Sequence, residues 1–76
     1  MIDIDKIQVG DRVHYIGHLG AIPENGMVKE IPDHTKESIR VVYNCAGDWK
    51  RFKDYTSALT PIDCLYHGWT SNARNA

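Results

Sequence analysis

The chain has 76 residues, two cysteines and a formal net charge of −1. That length makes one domain, and a domain so small buries only roughly 60% of its unfolded surface, so self-association is an expected source of extra stability. Near-neutral charge disfavours a whole-surface polynucleotide binder, and no run approaches the ~20 apolar residues that a membrane span needs.

Residues 2–7 carry Ile2, Ile4 and Ile7 and read as a short strand or one helical turn. Val9-Gly10-Asp11 is a turn. Arg12 to Ile16 alternates, with Val13 and Tyr15 on one face and Arg12 and His14 on the other, which predicts a strand. Residues 17–26 form a loop with Gly17, Gly20 and Pro23, and Asn25-Gly26 is predicted to turn the chain into the next strand. That strand runs from Met27 to about Ile31 and stops at Pro32, which cannot donate to a ladder.

A polar loop at 33–38 precedes the strongest strand, Ile39 to Cys45. Ile39, Val41, Tyr43 and Cys45 share one face there, and Arg40, Val42 and Asn44 the other. Ala46-Gly47-Asp48 turns the chain, and Trp49 to Tyr55, lacking a period of two, reads as a loop or short helical turn. Thr56 to Thr60 is a further strand. Pro61-Ile62-Asp63 is a tight turn, and Cys64 to Trp69 closes the domain. The tail, 70–76, has no apolar anchor and is expected to be flexible. These readings predict an all-β, five-stranded small barrel over residues 1–69.

The hairpin order, the Gly10-Asp11-Arg12-Val13 opening and the Gly26-Met27-Val28-Lys29 start of the second strand resemble SH3-like barrels, including KOW-type modules. Residues 41–69 resemble small uncharacterised bacteriophage and prophage proteins. The resemblance is carried by Val-Val-Tyr-Asn-Cys, Asp-Trp, Tyr-Thr-Ser-Ala-Leu-Thr, Ile-Asp and a closing Gly-Trp. It implies an accessory protein acting in the cytoplasm of a bacterial host and antagonising a host function.

Residues 39–55 hold four of the seven aromatic residues and four of the nine basic ones, for a local charge of +2. Rings supply stacking surfaces and cations supply anion attachment. The candidate ligand-binding residues are therefore Arg40, Tyr43, Trp49, Lys50 and Arg51, with Tyr43 or Trp49 stacking and the other three supplying charge. A local cationic patch on a neutral body suits a small anionic ligand, such as a nucleotide derivative, better than a long phosphate backbone. Tyr43 and Phe52 also fit core positions, whereas a Trp following Gly-Asp in a loop is harder to explain as core.

The alternatives are weaker. His14 with His18, or Cys64 with His67 and Cys45, lacks the paired short spacing of a zinc site, so no metal and no cofactor is expected. Cys64 with a histidine, or Asp33 with His34, has no surrounding catalytic signature, so a non-catalytic module is expected. Glu24, Glu30, Asp33 and Glu37 lack calcium-loop spacing. Without a visible secretory signal the chain reads as cytoplasmic, with both thiols reduced. The competing function is a protein or nucleic-acid adaptor using the same aromatic-basic surface.

Overall fold

Alternating β-branched residues build the sheet. In the computed structural model, which describes residues 1–17 and 21–76, five strands form one antiparallel sheet. They are β1 (Arg12–Tyr15), β2 (Glu24–Glu30), β3 (Ser38–Val42), β4 (Ala58–Pro61) and β5 (Leu65–His67). The order is β4-β3-β2-β1-β5, so the chain meanders through four strands and the fifth returns beside the first. The sheet is open, with β4 and β5 at its edges. Short 3-10 helices span Ile4–Lys6, Trp49–Asp54 and Ile62–Cys64. The fold is all-β, as the short apolar runs predict.

One face of the sheet carries the core. Val13, Val28, Ile39, Val41 and Leu65 are fully buried there, together with Ile2 and Ile7 from the N-terminal segment. The Ile2 amide donates to the Ile62 carbonyl at 3.2 Å, which fastens that segment to the turn before β5. Burying each such side chain contributes roughly 1.5–3 kcal/mol before conformational entropy is set against it.

The expected turn at Asn25-Gly26 is not a turn. β2 already begins at Glu24, and Asn25 and Gly26 pair with His14 and Val13 of β1. Glycine is required here by crowding. A Cβ on Gly26 would lie 2.5 Å from Val41 Cγ1 and 3.0 Å from the Tyr43 ring. Val41 of β3 and Tyr43, the residue just after it, cross over this position, and that crossing is a tertiary fact with no local signature. Further along, the register shifts between Val28 and Glu30, and the Lys29 ammonium donates to the Tyr55 carbonyl at 2.7 Å.

The opposite face is also covered. By alternation Val42 points away from the Val41 core, yet it is fully buried. Ala46 (φ 53°) and Gly47 (φ 79°) reverse the chain after β3, and the 3-10 helix Trp49–Asp54 returns against β2. Residues 70–76, which offer no apolar anchor in the sequence, dock through polar groups instead. The buried Asn25 side chain accepts from the Thr70 amide at 2.9 Å and donates to the Thr70 carbonyl at 3.1 Å. Asn75 reciprocates: its carboxamide accepts from the Asn25 amide at 2.6 Å and donates to the carbonyls of Asn25 (2.7 Å) and Tyr43 (2.9 Å). Ala73 is buried beneath this clasp.

Candidate functional site

Arg12 and His14 lie on the face of β1 opposite the core, two residues apart. Gly68, in the left-handed region at φ 81°, ends β5 and redirects the chain toward them. Its amide donates to the Arg12 carbonyl at 2.9 Å, and its carbonyl is 2.8 Å from His14 Nδ1. Trp69 then follows across the sheet, its indole N–H donating to the Gly26 carbonyl at 2.7 Å. The Arg12 guanidinium carbon sits 4.3 Å from the centroid of the Trp69 ring. Trp49 packs on the same indole with centroids 4.8 Å apart and planes at 52°.

The stack Arg12–Trp69–Trp49 has a chemical consequence. A cation over an indole contributes about 0.5–1 kcal/mol at an exposed site, and an aromatic pair about 0.5–1.5 kcal/mol beyond its burial. These contacts hold the guanidinium in place while its in-plane N–H groups bond to none of the described residues, the geometry that grips phosphate or carboxylate with two parallel bonds. Among the described residues Arg12 has no carboxylate partner.

The five sequence-predicted residues separate. Trp49 belongs to the stack, and Lys50, next on the same 3-10 helix, is exposed and without an ion pair among the described residues. Arg51 is tied to Asp54, Nε to Oδ2 at 3.1 Å, and this neighbour raises its pKa further; both side chains are well exposed, so salt screens the pair. Arg40 lies on β3 between Glu30 and Leu59, on the same side of the sheet as Val42. Tyr43 lies on the other side, with the core, and does not join the platform. Its ring meets Tyr15 edge-on at 6.1 Å, and its hydroxyl is 3.0 Å from Thr60 Oγ1.

The residues that sequence reasoning missed are Arg12, Trp69, His14 and Tyr66. Tyr66 stacks on His14 with centroids 5.5 Å apart and planes at 24°. The one available signal is that Arg12 and His14 share the polar face of β1. Nothing local links Arg12 to Trp69, which are joined only when β5 returns beside β1.

A concavity opens on the core side. It has a volume of about 270 Å³ and is lined by Tyr15, Glu24, Tyr43, Thr60 and Pro61 among others. Its lining includes a carboxylate and no Lys or Arg, so it repels anions. Burial pushes the Tyr43 phenol up to about 12. A phenol raised in the folded state stays neutral while the unfolded chain ionises. Its stabilising contribution is therefore complete below pH ~10 and declines as pH rises from about 10 to 12. Tyr43→Phe is expected to flatten this alkaline decline relative to the parent, which denaturant titrations across that pH window will read.

The thiols are packed rather than poised. Cys45 and Cys64 are free and buried, and burial, reinforced by the neighbouring Asp63, raises the Cys64 thiol and keeps it protonated. Among the described residues no three His, Cys, Asp or Glu side chains converge on a metal position. His18 and Gly20 lie outside the described residues. No helix among the described residues is long and apolar enough to cross a membrane.

No family model matches the chain, and no curated protein or solved structure is detectably similar to it.

Proposed function

We propose that this protein is a non-catalytic binding module that holds a small anionic, nucleotide-derived ligand on the face bearing Arg12, Trp49, Lys50 and Trp69. The observation that carries the reading is the guanidinium of Arg12 held 4.3 Å over Trp69, which in turn rests on Trp49. A prepositioned cation loses less side-chain freedom on binding an anion, and the partly exposed Trp49 ring offers a nucleobase a stacking surface worth about 1–3 kcal/mol. Arg40, on the same side of the sheet, extends the positive field.

The architecture we propose is SH3-like. Its support is the four-strand meander, the 3-10 helix Ile62–Cys64 and the fifth strand returning to β1. In the setting implied by the resemblance to phage proteins, the module acts in the bacterial cytoplasm by sequestering its ligand, for which affinity suffices. Self-association fits the β4 edge. Residues 55–61 carry no charge, and Leu59 is 51% exposed. Charged residues commonly guard such edges against pairing. The same edge supports the adaptor reading, with a partner protein adding a strand there.

Calorimetric titration with adenosine monophosphate tests the reading. Arg12→Gln is expected to weaken binding roughly 10–100-fold, since a hydrogen bond to a charged group contributes ~1.5–3 kcal/mol, with the melting temperature little changed. An Arg12→Gln protein that binds like the parent, or a parent that binds no nucleotide, overturns it. Native mass spectrometry of the same samples is expected to show more than one chain per particle.

A further inference from the structure

We propose that the ligand of this face carries two planar rings joined through one phosphodiester, so that its class is a dinucleotide; this deepens the nucleotide-binding reading and rests on it. A second aromatic pair shares the face with the Arg12–Trp69–Trp49 stack. Tyr66 and His14 are cross-strand partners on β5 and β1, and their rings lie nearly parallel, 5.5 Å apart. His14 is fixed in orientation. Its Nδ1 faces the Gly68 carbonyl at 2.8 Å, a contact that only an Nδ1–H donor can make favourable. Tyr66 therefore rests on a ring that cannot swing away, and it is 38% exposed.

The two aromatic groups are braced by one residue. The Gly68 amide holds the Arg12 carbonyl, its carbonyl holds His14, and the next residue is Trp69. Arg12 and His14 are two positions apart on one face, about 6.7 Å at the strand rise. The backbone positions of Arg12 and of the second stacking pair thus lie one same-face step apart, a spacing on the scale of a nucleoside linked to a phosphate. The supply of charge sets the number of phosphates. Arg12 is the one cation that the stack itself holds against a ring; Lys50 is exposed on the adjoining 3-10 helix, Arg40 lies further along the sheet between Glu30 and Leu59, and Arg51 is neutralised by Asp54. Two rings with one linking phosphate match two stacking surfaces and one fixed guanidinium.

The experiment is a fluorescence titration of the full chain with adenosine monophosphate, with a linear diadenylate containing one phosphodiester, and with a ten-base oligoadenylate. The diadenylate is expected to bind roughly 5–150-fold more tightly than the mononucleotide, the gain of one further stacked base. Tyr66→Ala is expected to lower diadenylate affinity to the mononucleotide level while leaving mononucleotide affinity unchanged. Tyr66→Phe, which retains the ring, is expected to bind like the parent and so separates stacking from folding. If mononucleotide and diadenylate bind equally and Tyr66→Ala moves neither, the two-ring inference fails while the nucleotide reading stands. If the ten-base strand gains a further tenfold or more with a steep salt dependence, the ligand is a polynucleotide and the inference fails. If none of the three binds, both this inference and the reading beneath it fail.

Discussion

Gly26→Ala is expected to be among the most destabilising single substitutions in this protein. In an ordinary strand interior the same change stabilises, because alanine restricts the unfolded chain more than glycine does. Here the added methyl would sit 2.5 Å from Val41 Cγ1, closer than real side chains approach. Val41 is fully buried in the core, and the Tyr43 ring, 3.0 Å away, is tied to Thr60. Neither can withdraw without moving β3. Overpacking of this kind costs about 1–3 kcal/mol, which for a domain of this size lowers the melting temperature by roughly 5–20 °C. The strain also reaches the proposed site, because the Gly26 carbonyl accepts the Trp69 indole N–H. Thermal melts followed by circular dichroism check the result, and a Gly26→Ala protein that melts with the parent contradicts the close crossing of β2 by β3.

The second large effect is expected at Asn25→Ala. Asn25 is 3% exposed, and its side chain holds both the amide and the carbonyl of Thr70, much as a neighbouring strand would. Alanine leaves those backbone groups without their partner at a cost of about 1–3 kcal/mol. The loss should spread along residues 70–76. Asn75 grips the Asn25 backbone and the Tyr43 carbonyl, and the Arg74 amide donates to the Pro23 carbonyl at 2.8 Å, so the tail is held at several linked points. Hydrogen exchange reads the outcome. The Thr70 and Arg74 amides are expected to lose more protection in Asn25→Ala than the Val13 and Val41 amides, whose loss follows the global destabilisation alone. Asn75→Ala should release Arg74 similarly, and the double variant should cost less than the two single losses combined, because the two carboxamides serve one clasp.

The contrast between these sites explains what the sequence discloses. β1 and β3 are legible because Val13 and Tyr15 are separated by polar His14, and Ile39 and Val41 by Arg40, a pattern that depends only on local pleating. The same alternation places Tyr43 with Ile39 and Val41, on the core side. The first half of β2 is not legible, because Asn-Gly satisfies turn chemistry and strand crowding equally well and only the position of β3 decides between them. The 3-10 character of Trp49–Asp54 follows from the absence of a period of two, but its neighbour does not. Trp49 meets Trp69, twenty positions further on, and Arg12 meets Trp69 only because β5 returns to β1. A dense aromatic-basic segment therefore pointed to one half of the face, and the other half was supplied from both ends of the chain. The docked tail is invisible for another reason: its anchors are carboxamides that imitate backbone, and hydropathy carries no trace of them.

Heteronuclear NMR during titration with adenosine monophosphate tests the central claim most directly, since both indole N–H groups and the Arg12 Nε–H can be followed individually. The account predicts progressive, saturable shifts at Arg12 Nε, Trp49 and Trp69, with Tyr15, Tyr43 and Thr60 unmoved. Shifts confined to the Tyr15–Tyr43–Thr60 concavity, or no shifts at all, would contradict it.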